Sequence, residues 1–259
     1  MTTTGKAIPM AEWLQHSTVE FFERNPNAVM ARQTVSLTQE PVAKILRRSF
    51  EVISRDAHYI TIVARPLLAD RVSGKVFKEE EVFNAETAIN AQLARINDYF
   101  DKRISQAETR LRAAGHDADQ VLADRTPRTY EARCSTRTAT EYLQLLAKAD
   151  IYLALNEFLW ITGELSDSPQ EALDAKLNNE REARNHLLTI SRTTITHFLL
   201  IRRICKGVLD ERRARREQRS AKSEGDPGEV AKGGGKALQV AQQDMDKLAA
   251  VKAPAVAAA

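Results

Sequence analysis

Between residues 29 and 46 the hydrophobic period of the chain changes once, from two to between three and four. Val29, Ala31, Gln33, Val35 and Leu37 alternate with Met30, Arg32, Thr34 and Ser36, the signature of a half-buried strand with a mostly polar outer face. Val42, Ile45, Leu46, Phe50 and Ile53 then follow at helical spacing, predicting a helix that reaches about residue 64, where Pro66 stops it. Thr38 is the expected N-cap, and Pro41 is early enough that its missing N–H breaks no intrahelical bond. A strand that runs into a helix without a hairpin must find its pairing partner elsewhere.

The same unit recurs a hundred residues later. Tyr130, Ala132 and Cys134 alternate with Glu131, Arg133 and Ser135. Thr138 and Glu141 have capping-box spacing, and residues 142 to 162 are so apolar that the helix must be largely buried. Two further long helices are expected, from about 78 to 113 and from about 170 to 216, with Gly115 and Gly163 as helix ends and a loop over 116 to 128 with room for one turn. Residues 8 to 24 fit a helix face or a strand equally. The fold class that follows is mainly α: about five long helices around one core, with a small antiparallel β-ribbon. Phe50, Ile53, Leu93, Ile96, Phe100, Leu143, Leu146, Leu155, Phe158, Trp160 and Leu199 are its expected core. Residues 1–27 form an N-terminal arm, 28–216 the core, and 217–259 a basic, Gly/Ala-rich tail with a short helix near 237 to 251.

Several function classes lose their footing. No run of 18 apolar residues and no signal-peptide pattern is present, so a cytoplasmic protein without membrane contact is expected. Cys134 and Cys205 lack the clustering of a disulfide framework and read as reduced core residues. The five histidines show no metal-ligand spacing, and no phosphate loop, dinucleotide turn or nucleophile elbow exists, so no cofactor and no enzyme activity are expected. Asp150 and Glu157 share a face of the most apolar helix; an Arg partner or solvent is the expectation for them.

The strand's outer face is more informative. A two-stranded ribbon fits the major groove, where Arg bonds guanine in bidentate fashion and Ser or Thr serves several bases. Arg32, Thr34 and Ser36 suit that role. Thr38 and Gln39 at the helix start would clamp phosphate, with Lys44, Arg47 and Arg48 close by. The plainer alternative is a solvent-facing sheet edge in which Thr and Ser serve β-propensity. Between Arg202 and Lys222 nine basic residues, Arg212, Arg213, Arg215 and Arg216 among them, stand against three acidic ones. They form either a solvated helix end or a sequence-independent phosphate contact.

Strand, helix, helix is the order of the ribbon-helix-helix regulators. More specifically, YLQLLAKADIYLALNEFLWITGEL (142 to 165), NHLLTISRTTITHFLLIRRI (185 to 204) with its basic continuation, and DKRISQAETRL (101 to 111) resemble the AcaB-type transcriptional regulators of conjugative plasmids and integrative conjugative elements. The resemblance implies an activator of transfer-gene expression with a ribbon-helix-helix unit bound to double-stranded DNA, and leaves RNA polymerase open as a partner. Its ribbon would be residues 30 to 37, with Arg32, Thr34 and Ser36 as base readers.

Two pairings are compatible with the chain. Strand 29 to 37 can pair with its copy in a homodimer, or with strand 129 to 135 of the same chain, which would bring Glu131, Arg133 and Ser135 beside Arg32 and Thr34. The second is favoured because it leaves no long unpaired edge. Two other functions remain as alternatives: a helical adaptor that binds a protein through an exposed apolar face of the last helix, and an enzyme with a pocket around Asp150, His186 and His197.

Overall fold

The computed structural model describes residues 7–9, 30–69, 79–123 and 125–224. Their order is β1 (Ala31–Leu37), α1 (Glu40–His58), a π-helical turn (Tyr59–Ala64), α2 (Arg65–Ala69), α3 (Glu79–Ala113), α4 (Ala118–Ala123), β2 (Arg128–Cys134), α5 (Arg137–Ile161) and α6 (Pro169–Glu224). The described residues up to 206 belong to one compact unit and those from 207 onward to a second. The chain is mainly helical, with one two-stranded antiparallel sheet.

α5 sits at the centre of the first unit, packed against α3, α1 and β1. Its buried residues, from Tyr142 and Leu143 through Leu146, Tyr152 and Leu155 to Leu159, surround most of its circumference, as so apolar a helix requires. Phe50, Ile53, Phe100 and Leu146 are sealed from solvent, each contributing about 1.5–3 kcal/mol of hydrophobic stabilisation. Leu93, Ile96, Leu143 and Leu155 are also buried, whereas Phe158 and Trp160 are half-buried. Leu199 is 54% exposed, because it lies on the opposite side of α6 from the buried Leu187, Ile190, Thr194 and Ile201.

Local signals place several boundaries differently from the sequence expectation. α1 begins after Gln39, not Thr38, and no side chain of its own caps it. α5 is capped by Thr136, whose hydroxyl accepts from the Ala139 N–H at 3.3 Å, so Thr138 lies inside the first turn. Pro66 does not stop the helix. The wider π turn just ahead of it takes the hydrogen-bond ladder out of register where a ring without an N–H would otherwise meet the i−4 carbonyl. α4 fills part of the expected loop, and α6 runs past 216. Gly115 (φ 83°) and Gly163 (φ 80°) do close α3 and α5 in the left-handed region.

The sheet is intrachain. β1 and β2 pair antiparallel with Arg32 opposite Arg133, Thr34 opposite Glu131 and Ser36 opposite Thr129. Ile8 adds a parallel bridge at Tyr130, with Ile8 N–H on the Thr129 carbonyl (2.7 Å) and Glu131 N–H on the Ile8 carbonyl (2.9 Å). Residues 10 to 24, for which helix and strand were both open, and the expected tail helix lie outside the described residues. So does the start of the first strand before residue 30.

Candidate nucleic-acid interface

Strand periodicity sorts the ribbon into two faces. Val35, Leu37, Tyr130, Ala132 and Cys134 are buried, so Arg32, Thr34, Ser36, Thr129, Glu131 and Arg133 form the opposite face. On it the Ser36 and Thr129 hydroxyls are 3.0 Å apart and hydrogen-bonded. Arg32 Nε lies 4.0 Å from Glu131 Oε1, and the Arg32 side chain is 76% exposed. Arg32 and Arg133 stand directly opposite each other, a like-charge pairing that is destabilising by itself. The outer face therefore carries two guanidiniums, one carboxylate and three hydroxyls. A seven-residue ribbon of this kind extends about 20 Å and is two strands wide, dimensions that enter a major groove.

The helix start after β1 is already occupied, which corrects the expectation of a phosphate clamp there. Both oxygens of Asp150 on α5 accept from this turn: Oδ2 from the Thr38 N–H (2.9 Å) and the Thr38 hydroxyl (2.9 Å), Oδ1 from the Gln39 N–H (2.7 Å). The carboxylate takes the place that a phosphate would need, so Thr38 and Gln39 hold the ribbon to α5 instead. Burial pushes the Asp150 carboxyl above its ordinary value, against the pull of those donors and of Arg125. Two turns along the same face, the Gln39 amide donates to Glu157 Oε2 (2.9 Å), which also accepts from Arg125 Nη1 (2.9 Å). Glu157 thus has its Arg partner. Burial alone would raise its carboxyl, but the hydrogen bonds of Gln39 and Arg125 and the charges of Arg125 and Lys176 hold it below the usual range.

The other end of the ribbon is tied as well. β2 ends at Cys134, and the Ser135 hydroxyl meets His58 Nδ1 at 2.9 Å at the end of α1. Ser135 is therefore an anchor and not a member of the outer face beside Arg133, another correction. Burial pushes His58 below its ordinary value.

The expected phosphate group on α1 divides. Arg47 turns toward the ribbon, where Tyr130 and Glu40 hold its guanidinium above its ordinary value and its Nη2 lies 3.2 Å from Glu40 Oε1. Lys44 and Arg48, one turn apart, line a groove against α6. Arg212, Arg213, Arg215 and Arg216 belong to the second compact unit, where Arg213 pairs with Glu217 at 3.2 Å. Arg128, 3.6 Å from Glu40, extends β2 one residue ahead of the expected strand, and Thr129, inside that strand, was not among the expected DNA contacts. The alternation of β2 carries Thr129, which continues the outward set of Glu131 and Arg133, whereas Arg128 has the inward parity of Tyr130 and is exposed at the strand's start.

Among the described residues, no group of three or more His, Cys, Asp or Glu side chains is placed to hold a metal ion, and no helix is long and apolar enough to cross a membrane. No family model matches the chain, and no curated protein matches it. The structure is similar to the crystal structure of selenomethionine-containing AcaB from uropathogenic E. coli, with a TM-score of 0.54 and 18% identity over 79% of this chain and 89% of that one. The fold is AcaB-like.

Proposed function

We propose that the outer face of the ribbon reads duplex DNA in the major groove and that the protein is a sequence-specific transcriptional regulator, an activator of conjugative-transfer genes as the AcaB-type resemblance implies. The observation that carries this reading is the opposed pair of Arg32, exposed, and Arg133, half-buried, on the outer face of a ribbon whose other face is core. Two guanidiniums held against their own repulsion favour an anionic partner, and the hydroxyls of Thr34, Ser36 and Thr129 around them suit base edges. Because the ribbon is complete within one chain, a monomer can present it, and the site it reads need not be palindromic.

The test is selection from a random duplex pool at physiological salt with the wild-type protein, Arg32→Ala and Arg133→Ala. The wild type is expected to enrich one motif. Each variant should lose about 1–3 kcal/mol at that motif and relax its preference at the base pair concerned. Enrichment of no motif by the wild type would refute the reading.

A protein-binding role has its own support. α6 exposes Leu173, Leu177, Leu199 and Leu200, so its surface within the first unit is partly apolar.

A further inference from the structure

The groove between α1 and α6 combines two properties that seldom occur together on a solvated surface. Its volume is about 540 Å³. Its apolar lining comes from Val42 and Ile45 of α1, Leu153 of α5, and Leu177, Leu187 and Leu188 of α6. Leu177 is 49% exposed although it stands on the wall of a cavity. Along the rim run four cations, Lys44 and Arg48 on one side and Arg181 and Arg184 on the other, against one carboxylate, Glu180. All four are exposed, and none has a carboxylate within ion-pair distance among the described residues.

From this juxtaposition we infer that the groove docks an acidic amphipathic helix of a partner protein. Charge complementarity sets the acidic character: cations facing each other across the groove repel, and a helix with Asp or Glu flanking its apolar stripe neutralises both rims at once. The apolar floor sets the helical, protein character. A nucleic acid backbone would bring phosphates to a surface of leucine and valine side chains, whereas an amphipathic helix buries its i, i+3/i+4, i+7 residues on such a floor. Length agrees, because the α6 wall from Leu177 to Leu188 extends about 16 Å, three turns of a guest helix. The inference does not depend on the ribbon reading DNA, since no residue of the groove lies on the ribbon's outer face.

The experiment is a displayed library of random peptides about 16 residues long, enough for three to four turns, selected on the immobilised full-length protein, with the most enriched peptide resynthesised and labelled for titration. The expected winners carry apolar residues at helical spacing with Asp and Glu beside them. Their affinity should fall at least tenfold for Arg181→Glu/Arg184→Glu and severalfold for Lys44→Ala/Arg48→Ala on the opposite wall, while Arg32→Ala leaves it unchanged. These are exposed side chains, and matching thermal unfolding midpoints will separate lost binding from lost fold. Enrichment without acidic residues, affinities indifferent to both double variants, or displacement of the peptide by random duplex DNA or by a second copy of the chain would each overturn the inference.

Discussion

Two strand-to-helix junctions of almost the same local sequence grammar are held by different means. β2 passes into α5 through Thr136, which caps its own helix three residues on. β1 passes into α1 with no such local cap, and the open N–H groups of Thr38 and Gln39 are satisfied by Asp150, more than a hundred residues away. The cap of the first junction is therefore local, although Ser135 just before it also meets His58 of α1, and the cap of the second exists only when α5 is in place. The difference bears on function, because the Asp150 junction supports the strand that carries Arg32, Thr34 and Ser36. The helix start behind β1 is capped by tertiary packing and the one behind β2 by local chemistry.

Breaking the distant cap should cost the most. Asp150→Ala removes a charged acceptor from three donors and leaves two backbone N–H groups of a helix start without it, so unfolding in urea should show a loss of about 2–3 kcal/mol. Amide exchange should accelerate at residues 38 to 43 while the α5 start stays protected. The local cap is the counterpart. Thr136→Ala should cost about 1 kcal/mol, with faster exchange confined to the first turn of α5. Equal losses for the two variants would erase the distinction between the junctions. Glu157→Gln sharpens it, since Gln39 can still bond a neutral amide; with Arg125 and Glu157 both partly exposed, the loss should be no more than roughly 0.5–1 kcal/mol.

The same contrast explains what could be read in advance. Period-two patterning placed both strands, the inward Val35, Leu37, Tyr130, Ala132 and Cys134 and the outward Arg32, Thr34, Ser36 and Arg133, because a strand's faces follow from residue parity alone, whereas Ala31 and Gln33, of inward parity, are exposed and half-buried at the start of β1. Intrachain pairing was legible through the repeated strand-to-helix unit. The Asp150 cap was not, since nothing local to Thr38 or Asp150 marks either as the other's partner. Lys44, Arg47 and Arg48 look like one cluster in the sequence. The 100° step of the helix sends Arg47 toward Tyr130 and leaves Lys44 and Arg48 together on the groove side, a division that a helical wheel contains. Leu199 fits the apolar run of α6 by composition, yet lies off its buried line.

Asp150 and Glu157 lie two turns apart on α5, and their carboxyls are shifted in opposite directions, so acid should separate them by the smallest but most specific effect. Burial raises Asp150 above 3.8, meaning that the folded protein holds this proton more tightly than the unfolded chain. As pH falls through the raised value toward 3.8, this group adds stability to the fold. Glu157 lies below 4.5, so its contribution is fully present above 4.5 and is lost as pH falls through its folded value. Urea unfolding of wild type, Asp150→Asn and Glu157→Gln between about pH 3.5 and 6 isolates each contribution as a difference from wild type. The advantage of wild type over Asp150→Asn should widen toward acid, and its advantage over Glu157→Gln should narrow. Two difference curves of the same slope would mean that the two carboxylates share one environment, and that the cap at Thr38 is not the buried, charge-costly contact that sets β1 apart from β2.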